Sequence, residues 1–131
     1  MTRWLSSEWF ETTSELAADL QGPPGLSARI QVVVTGGPEG DVPYGCELVG
    51  GRLAASAPGR IGDPEVTLTV GWEDAQALAT GELDPDVAFM QGRMKVTGSM
   101  AVLLDLLAVT ATPAYRELRH RIAEVTDDWI T

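Results

Sequence analysis

From Leu26 onward the apolar residues fall on every second position, with Leu26, Ala28, Ile30, Val32 and Val34 on one side and Ser27, Arg29, Gln31 and Thr35 on the other. A period of two marks a strand with one buried face, and a slip of one residue would turn every apolar side chain outward. This segment therefore commits the chain to a sheet with a core against one face. The alternation returns at Val42, Tyr44, Cys46 and Leu48, after Gly36-Gly37-Pro38-Glu39-Gly40-Asp41, which has the composition of a hairpin loop. Gly50-Gly51 closes a tighter hairpin into Arg52 to Ala57, and after the loop Pro58 to Pro64 the run Glu65 to Val70 reads as a fourth strand. Hairpins in succession predict antiparallel pairing.

Helical spacing surrounds these strands. Trp9, Thr13, Leu16 and Leu20 form a stripe over Ser6 to Leu20, which Gly22-Pro23-Pro24-Gly25 stops. Trp72 to Thr80 is helical and ends at Gly81, and Asp84-Pro85 supplies an N-cap and a first-turn proline before Val87 to Met90. Arg93 to Thr97 alternates again, with Met94 and Val96 on one face, and Gln91-Gly92 shapes the turn into it. Ser99 caps a helix to Val109 or Thr110, and Thr112-Pro113 starts a last helix, about residues 113–130, carrying Tyr115, Leu118, Ile122, Val125 and Trp129. The expected architecture is α+β: a five-stranded, mainly antiparallel sheet covered on one face by helices. No linker or repeat divides the 131 residues, so they are read as a single domain, 1–131, with its core about 7–110.

Charge and composition narrow the function classes. The net charge of −10, from 19 acidic against 9 basic residues, repels nucleic acid and leaves at most weak contact with anionic membranes. The one cysteine, Cys46, excludes an internal disulfide, and neither a metal site nor a cofactor motif is present in the sequence. No apolar run reaches the roughly 18 residues of a bilayer span. Met1 to Glu8 lacks the charged start and apolar centre of a secretory signal, so a cytoplasmic protein is expected. His120 sits in the charged run Arg116 to Arg121 and reads as a solvated side chain, while Cys46 reads as a small buried hydrophobe. With no nucleophile and base pair recognisable, the chain is not expected to be an enzyme; a small lipid-thioester hydrolase or isomerase is only a minor alternative.

The run Val66-Thr67-Leu68-Thr69-Val70, the helix start Trp72-Glu73-Asp74, then Gly81, Pro85 and Ala88-Phe89-Met90-Gln91-Gly92-Arg93-Met94-Lys95-Val96-Thr97-Gly98-Ser99-Met100 closely resembles the sterol carrier protein-2 family, in its standalone bacterial form. Phe89 to Met100 is the most specific part: an aromatic-containing short helix, then Gln-Gly-basic-apolar-Lys-apolar-Thr-Gly, a small cap and Met. The resemblance covers about Ser7 to Thr110. It implies a five-stranded sheet backed by helices that enclose an apolar tunnel for a fatty acid, acyl-CoA, sterol or other lipid. The chain ends Trp129-Ile130-Thr131, not in a peroxisomal tripeptide, and its acidity sets it apart from the basic membrane-transferring animal members.

Within this frame the expected tunnel wall is Trp72, Leu78, Phe89, Met90, Met94, Val96, Met100, Leu103, Leu104 and Leu107. The helix from Ser99 is apolar on nearly two faces, with Met100, Leu103, Leu104, Leu107 and Ala111 on one stripe and Val102, Leu106 and Val109 on another. One face suits the sheet, and the second needs a helix, a partner subunit or a lipid. Arg93 and Lys95 should point away from the apolar face, where solvation is the default and a head-group contact the sharper reading. Two functions stay open: a non-catalytic lipid binder, and an accessory module whose apolar groove binds a partner protein. The last helix would cover the tunnel mouth in the first and mediate contact, including homodimer formation, in the second.

Overall fold

The computed structural model describes residues 2–128. In chain order the elements are β1 (Thr2–Arg3), α1 (Ser7–Ala17), β2 (Ala28–Gly37), β3 (Gly40–Val49), β4 (Arg52–Pro58) and β5 (Val66–Gly71). There follow α2 (Trp72–Thr80), α3 (Pro85–Met90), β6 (Met94–Gly98), α4 (Met100–Thr110), α5 (Pro113–Val125) and β7 (Thr126–Asp128). The main sheet has five strands in the order β4-β3-β2-β5-β6. The α+β, mainly antiparallel architecture expected from the sequence is present, with one difference. β2 pairs with β3, β3 with β4 and β5 with β6 antiparallel, whereas β5 lies parallel to β2. After β4 the chain crosses back over the sheet, and Glu65 N–H donates to Arg29 O at 2.8 Å to set β5 beside β2.

Register then gathers the alternating residues on one face. Tyr44, Val32, Leu68 and Val96 form one row across four strands, and Ser56, Cys46, Ile30 and Val66 form the next. Helices cover this face: α1 buries Phe10, Thr13 and Ala17. Ser6 Oγ accepts from Trp9 N–H at 3.1 Å to cap it; Thr13 of the expected stripe is buried, here beside Phe10 and Ala17, and the helix ends at Ala17, before Leu20. The opposite face is not simply solvated. Gln31, read as outward-facing, is 3% exposed: its Nε2 donates to Tyr44 O at 2.9 Å and its Oε1 accepts from Ile61 N–H at 2.8 Å. The loop 59–65 thereby covers the centre of the back face. Ile61 lies where a side chain on Gly45 would have to go, so close approach dictates that glycine.

Local signals place the remaining helices. Ser99 Oγ accepts from Val102 N–H at 3.2 Å and Thr112 Oγ1 from Tyr115 N–H at 3.3 Å, capping α4 and α5. Gly92, at φ 74°, makes the left-handed turn from α3 into β6. The last helix does not run to 130. It stops at Val125, where Thr126 turns extended (φ −98°, ψ 115°) and its strand β7 pairs in parallel with β1. Ile122 O is taken by the Thr126 hydroxyl at 2.8 Å, which satisfies a carbonyl of the final turn. Trp129 and Ile130 lie outside the described residues.

Candidate functional site

Between the helix-covered face of the sheet and the helices is a cavity of about 380 Å³. That volume is in the range of small-molecule sites. Its floor is the alternating face of the sheet: Ile30 and Val32, Tyr44, Cys46 and Leu48, Leu53 and Ser56, Leu68 and Val70, and Met94. Its roof comes from Trp9, Thr13 and Ala17 of α1, Ala75, Leu78 and Ala79 of α2, and Leu103, Leu106, Leu107, Val109 and Thr110 of α4. Trp4 and Leu20 add to it, and α5 contributes Tyr115, Leu118, Arg119 and Ile122.

The polar wall groups are few, and most are kept neutral. Thr13 Oγ1 donates to Trp9 O at 2.8 Å and Thr110 Oγ1 to Leu107 O at 3.0 Å, so both hydroxyls are turned back on their own helices. Cys46 Sγ lies 3.8 Å from Ser56 Oγ; burial pushes the thiol up from its ordinary value and outweighs the opposing effect of that contact, which leaves it protonated and unactivated. Burial likewise raises the Tyr44 phenol, and it raises Tyr115 against the opposing pull of Arg119. Among the described residues Arg119 is the only formally charged side chain on the wall. Among the described residues no three His, Cys, Asp or Glu side chains converge as they would around a metal ion. His120, 68% exposed, faces Glu124 at 2.9 Å on the outer side of α5.

Of the residues expected on the wall, the structure brings Leu78, Met94, Leu103 and Leu107 together around the cavity. Trp72, Phe89, Met90, Val96, Met100 and Leu104 lie off it. Met90 is 83% exposed, and Met100 and Leu104 are also exposed. On α4 the cavity face is centred on Leu103, Leu106, Leu107 and Thr110; Met100 and Leu104 sit about a quarter turn round the helix from it. Phe89 packs with Leu83, Ala88, Met94 and Leu103 in a separate small cluster. Val96 adds to the packing of both clusters, and Trp72 meets Trp4 edge-on with ring centroids 4.8 Å apart. Arg93 faces Asp74 at 3.9 Å and Lys95 is exposed, both away from the cavity. The strand residues on the floor carried a signal in their period of two, and Tyr115, Leu118 and Ile122 carried one in the stripe of α5. Arg119 carried none, because a charge between apolar helix positions reads as surface.

Residues 11–110 match the profile of the SCP-2 sterol transfer family. Over 54 residues, 41% of this chain, the sequence is 35% identical to sterol carrier protein 2 of Oryctolagus cuniculus, and the match spans 10% of that protein's length. The crystal structure of a sterol carrier protein 2 superposes with a TM-score of 0.73 at 15% identity, covering 95% of this chain and all of that one (100%). Palmitated SCP2L2 of Aedes aegypti superposes at 0.64 with 24% identity, covering 80% of this chain and 90% of that one. These likenesses in structure show a shared fold. The match to the family profile, which spans most of the sequence, shows that this chain belongs to the SCP-2 sterol transfer family.

Proposed function

We propose that this chain is a non-catalytic, cytoplasmic binder that holds one apolar ligand, a fatty acid, acyl-CoA, sterol or similar lipid, in the cavity between sheet and helices. The observation that carries the reading is the wall itself: both layers of the fold turn aliphatic and aromatic side chains toward one space of about 380 Å³. A void of that size lined by apolar groups forgoes contact energy that an acyl chain or ring system would restore. Membership of a sterol transfer family and likeness in fold to a palmitated protein agree with that use. The helix α5, beyond the matched residues 11–110, belongs to the same binding unit, because its Tyr115, Leu118 and Ile122 form part of the wall. Its apolar face is thus turned inward, which disfavours the partner-protein reading.

Native mass spectrometry of gently purified protein, with tryptophan emission followed during addition of palmitate, palmitoyl-CoA and cholesterol, tests the proposal. A co-isolated lipid mass, or a saturable change in emission from Trp4 and Trp9 on the wall, is expected. Apo mass alone with no change for any of the three would overturn it.

A further inference from the structure

We infer that Arg119 receives the anionic head group of the ligand, so that the chain selects acidic amphiphiles over neutral ones of the same tail; this rests on the lipid-binding reading above. A guanidinium keeps its charge at any ordinary pH and carries five N–H donors in a rigid fork. On an apolar wall it is costly unless anions take those donors. Arg119 meets this condition only in part. Its side chain is 11% exposed, and its Nη2 donates to Asp84 Oδ1 at 3.1 Å. Its Nη1 is buried and has no hydrogen-bond partner among the described residues. No other buried side-chain nitrogen or oxygen among them is left in that condition.

The surroundings favour a ligand over a purely structural ion pair. Asp84 precedes α3, where its carboxylate could have capped the helix, yet it makes no capping bond and reaches Arg119 instead. Its side chain is 50% exposed, so it meets the guanidinium from the solvent side. The face of the fork lies near the Tyr115 ring, with Cζ 5.9 Å from the ring centroid, which holds the plane in place beside the cavity. Among the described residues no carboxylate lines the cavity, which leaves Asp84, on the solvent side of the fork, as the competitor for those donors. A ligand carboxylate or phosphate accepts two parallel N–H bonds from such a fork and neutralises its charge, while an alcohol or ester offers only a neutral acceptor and leaves that charge unpaired. Arg119 also lies beyond residues 11–110, so this anchor belongs to the chain's own C-terminal helix and not to the segment that matches the family.

Dodecanoate and dodecanol share a tail and differ in the head, so their binding to the intact protein at pH 8 isolates the charge. Dodecanoate is expected to bind at least about tenfold more tightly than dodecanol, in keeping with a charge-assisted pair. Arg119→Gln should erase that ratio while leaving dodecanol within about threefold of its original affinity. Asp84→Asn removes the competing carboxylate and should strengthen dodecanoate binding, whereas a merely structural pair would make it weaken both ligands as Arg119→Gln does. Equal affinity of the unaltered protein for acid and alcohol overturns the inference and leaves the lipid-binding reading standing. So does parallel loss of both ligands in Arg119→Gln. Failure of both ligands to bind the unaltered protein overturns the two together.

Discussion

Trp9 and Thr126, 117 positions apart, are joined by a hydrogen bond of 2.9 Å from the indole Nε1–H to the threonine hydroxyl. The same hydroxyl donates to Ile122 O, so one buried oxygen fixes the end of α5 to the first helix while Trp9 stays on the cavity wall. Thr126→Val keeps the shape and removes both bonds, leaving the indole N–H without its acceptor. A loss of about 1–3 kcal/mol is expected in urea unfolding. Trp9→Phe in the Thr126→Val background should cost less than it does alone, and a double-mutant cycle with no coupling would show that the two residues act independently.

Gln31 ties the loop 59–65 to the back of the sheet through Tyr44 O and Ile61 N–H. Gln31→Met preserves volume but leaves the half-buried Ile61 N–H without its acceptor. Unfolding should shift by about 1–3 kcal/mol, the cost of one unsatisfied group. Hydrogen exchange of the Ile61 amide should accelerate more than that of Val32 in the same sheet, because only the loop loses its anchor; uniform acceleration would point to global weakening instead.

The residues that were legible in the sequence and those that were not separate along a physical line. Alternation at Ile30, Val32, Tyr44 and Cys46 is a local property of the backbone, and it marked the apolar face of the sheet without marking that a cavity lies over it. Alternation does not say which strand lies alongside or in which direction, so the parallel pairing of β5 with β2 was out of reach. Gln31 and Arg119 are polar residues at positions that spacing reads as outward-facing. Their burial comes from partners far along the chain, Ile61 for the one and Asp84 for the other. The two-faced character of α4 was visible, but helical spacing alone could not say that the cavity falls between the two stripes, which left Met100 and Leu104 outside.

Tyr44 gives the fold a dependence on alkaline pH. Its phenol is raised above the ordinary value of 10.0 chiefly by burial, so the folded protein holds that proton after the unfolded chain has released it. The associated stability is complete below pH 10 and falls as pH rises beyond it, by about 1.4 kcal/mol per pH unit for one such group. The Cys46 thiol adds to the fall from its ordinary value of 9.0 upward. Tyr44→Phe keeps the ring, 5.3 Å from that of Phe10, and removes the ionisable group. Urea midpoints measured at pH 8 and pH 11 should therefore drop less in Tyr44→Phe than in the unaltered protein. Equal drops would place the phenol in free exchange with solvent.

Leu103 and Leu107 sit one turn apart on α4 and both touch the cavity, but they are held differently. Leu103 is 1% exposed and packed with Leu83, Ala88 and Met94, whereas Leu107 is half-buried and packs against the margin of that cluster. Truncation would not tell core from wall, since removing a buried leucine side chain costs about 2–5 kcal/mol in either setting. Enlargement does. A tryptophan forced into filled space strains its neighbours by about 1–3 kcal/mol or more, while a cavity of about 380 Å³ has room for a ring. Leu103→Trp should lower the melting temperature clearly. Leu107→Trp should keep it near the unaltered value and, by filling the ligand space, weaken dodecanoate binding by at least about tenfold. If Leu107→Trp is as destabilised as Leu103→Trp and its folded fraction still binds dodecanoate normally, the ligand does not occupy the space beneath α4.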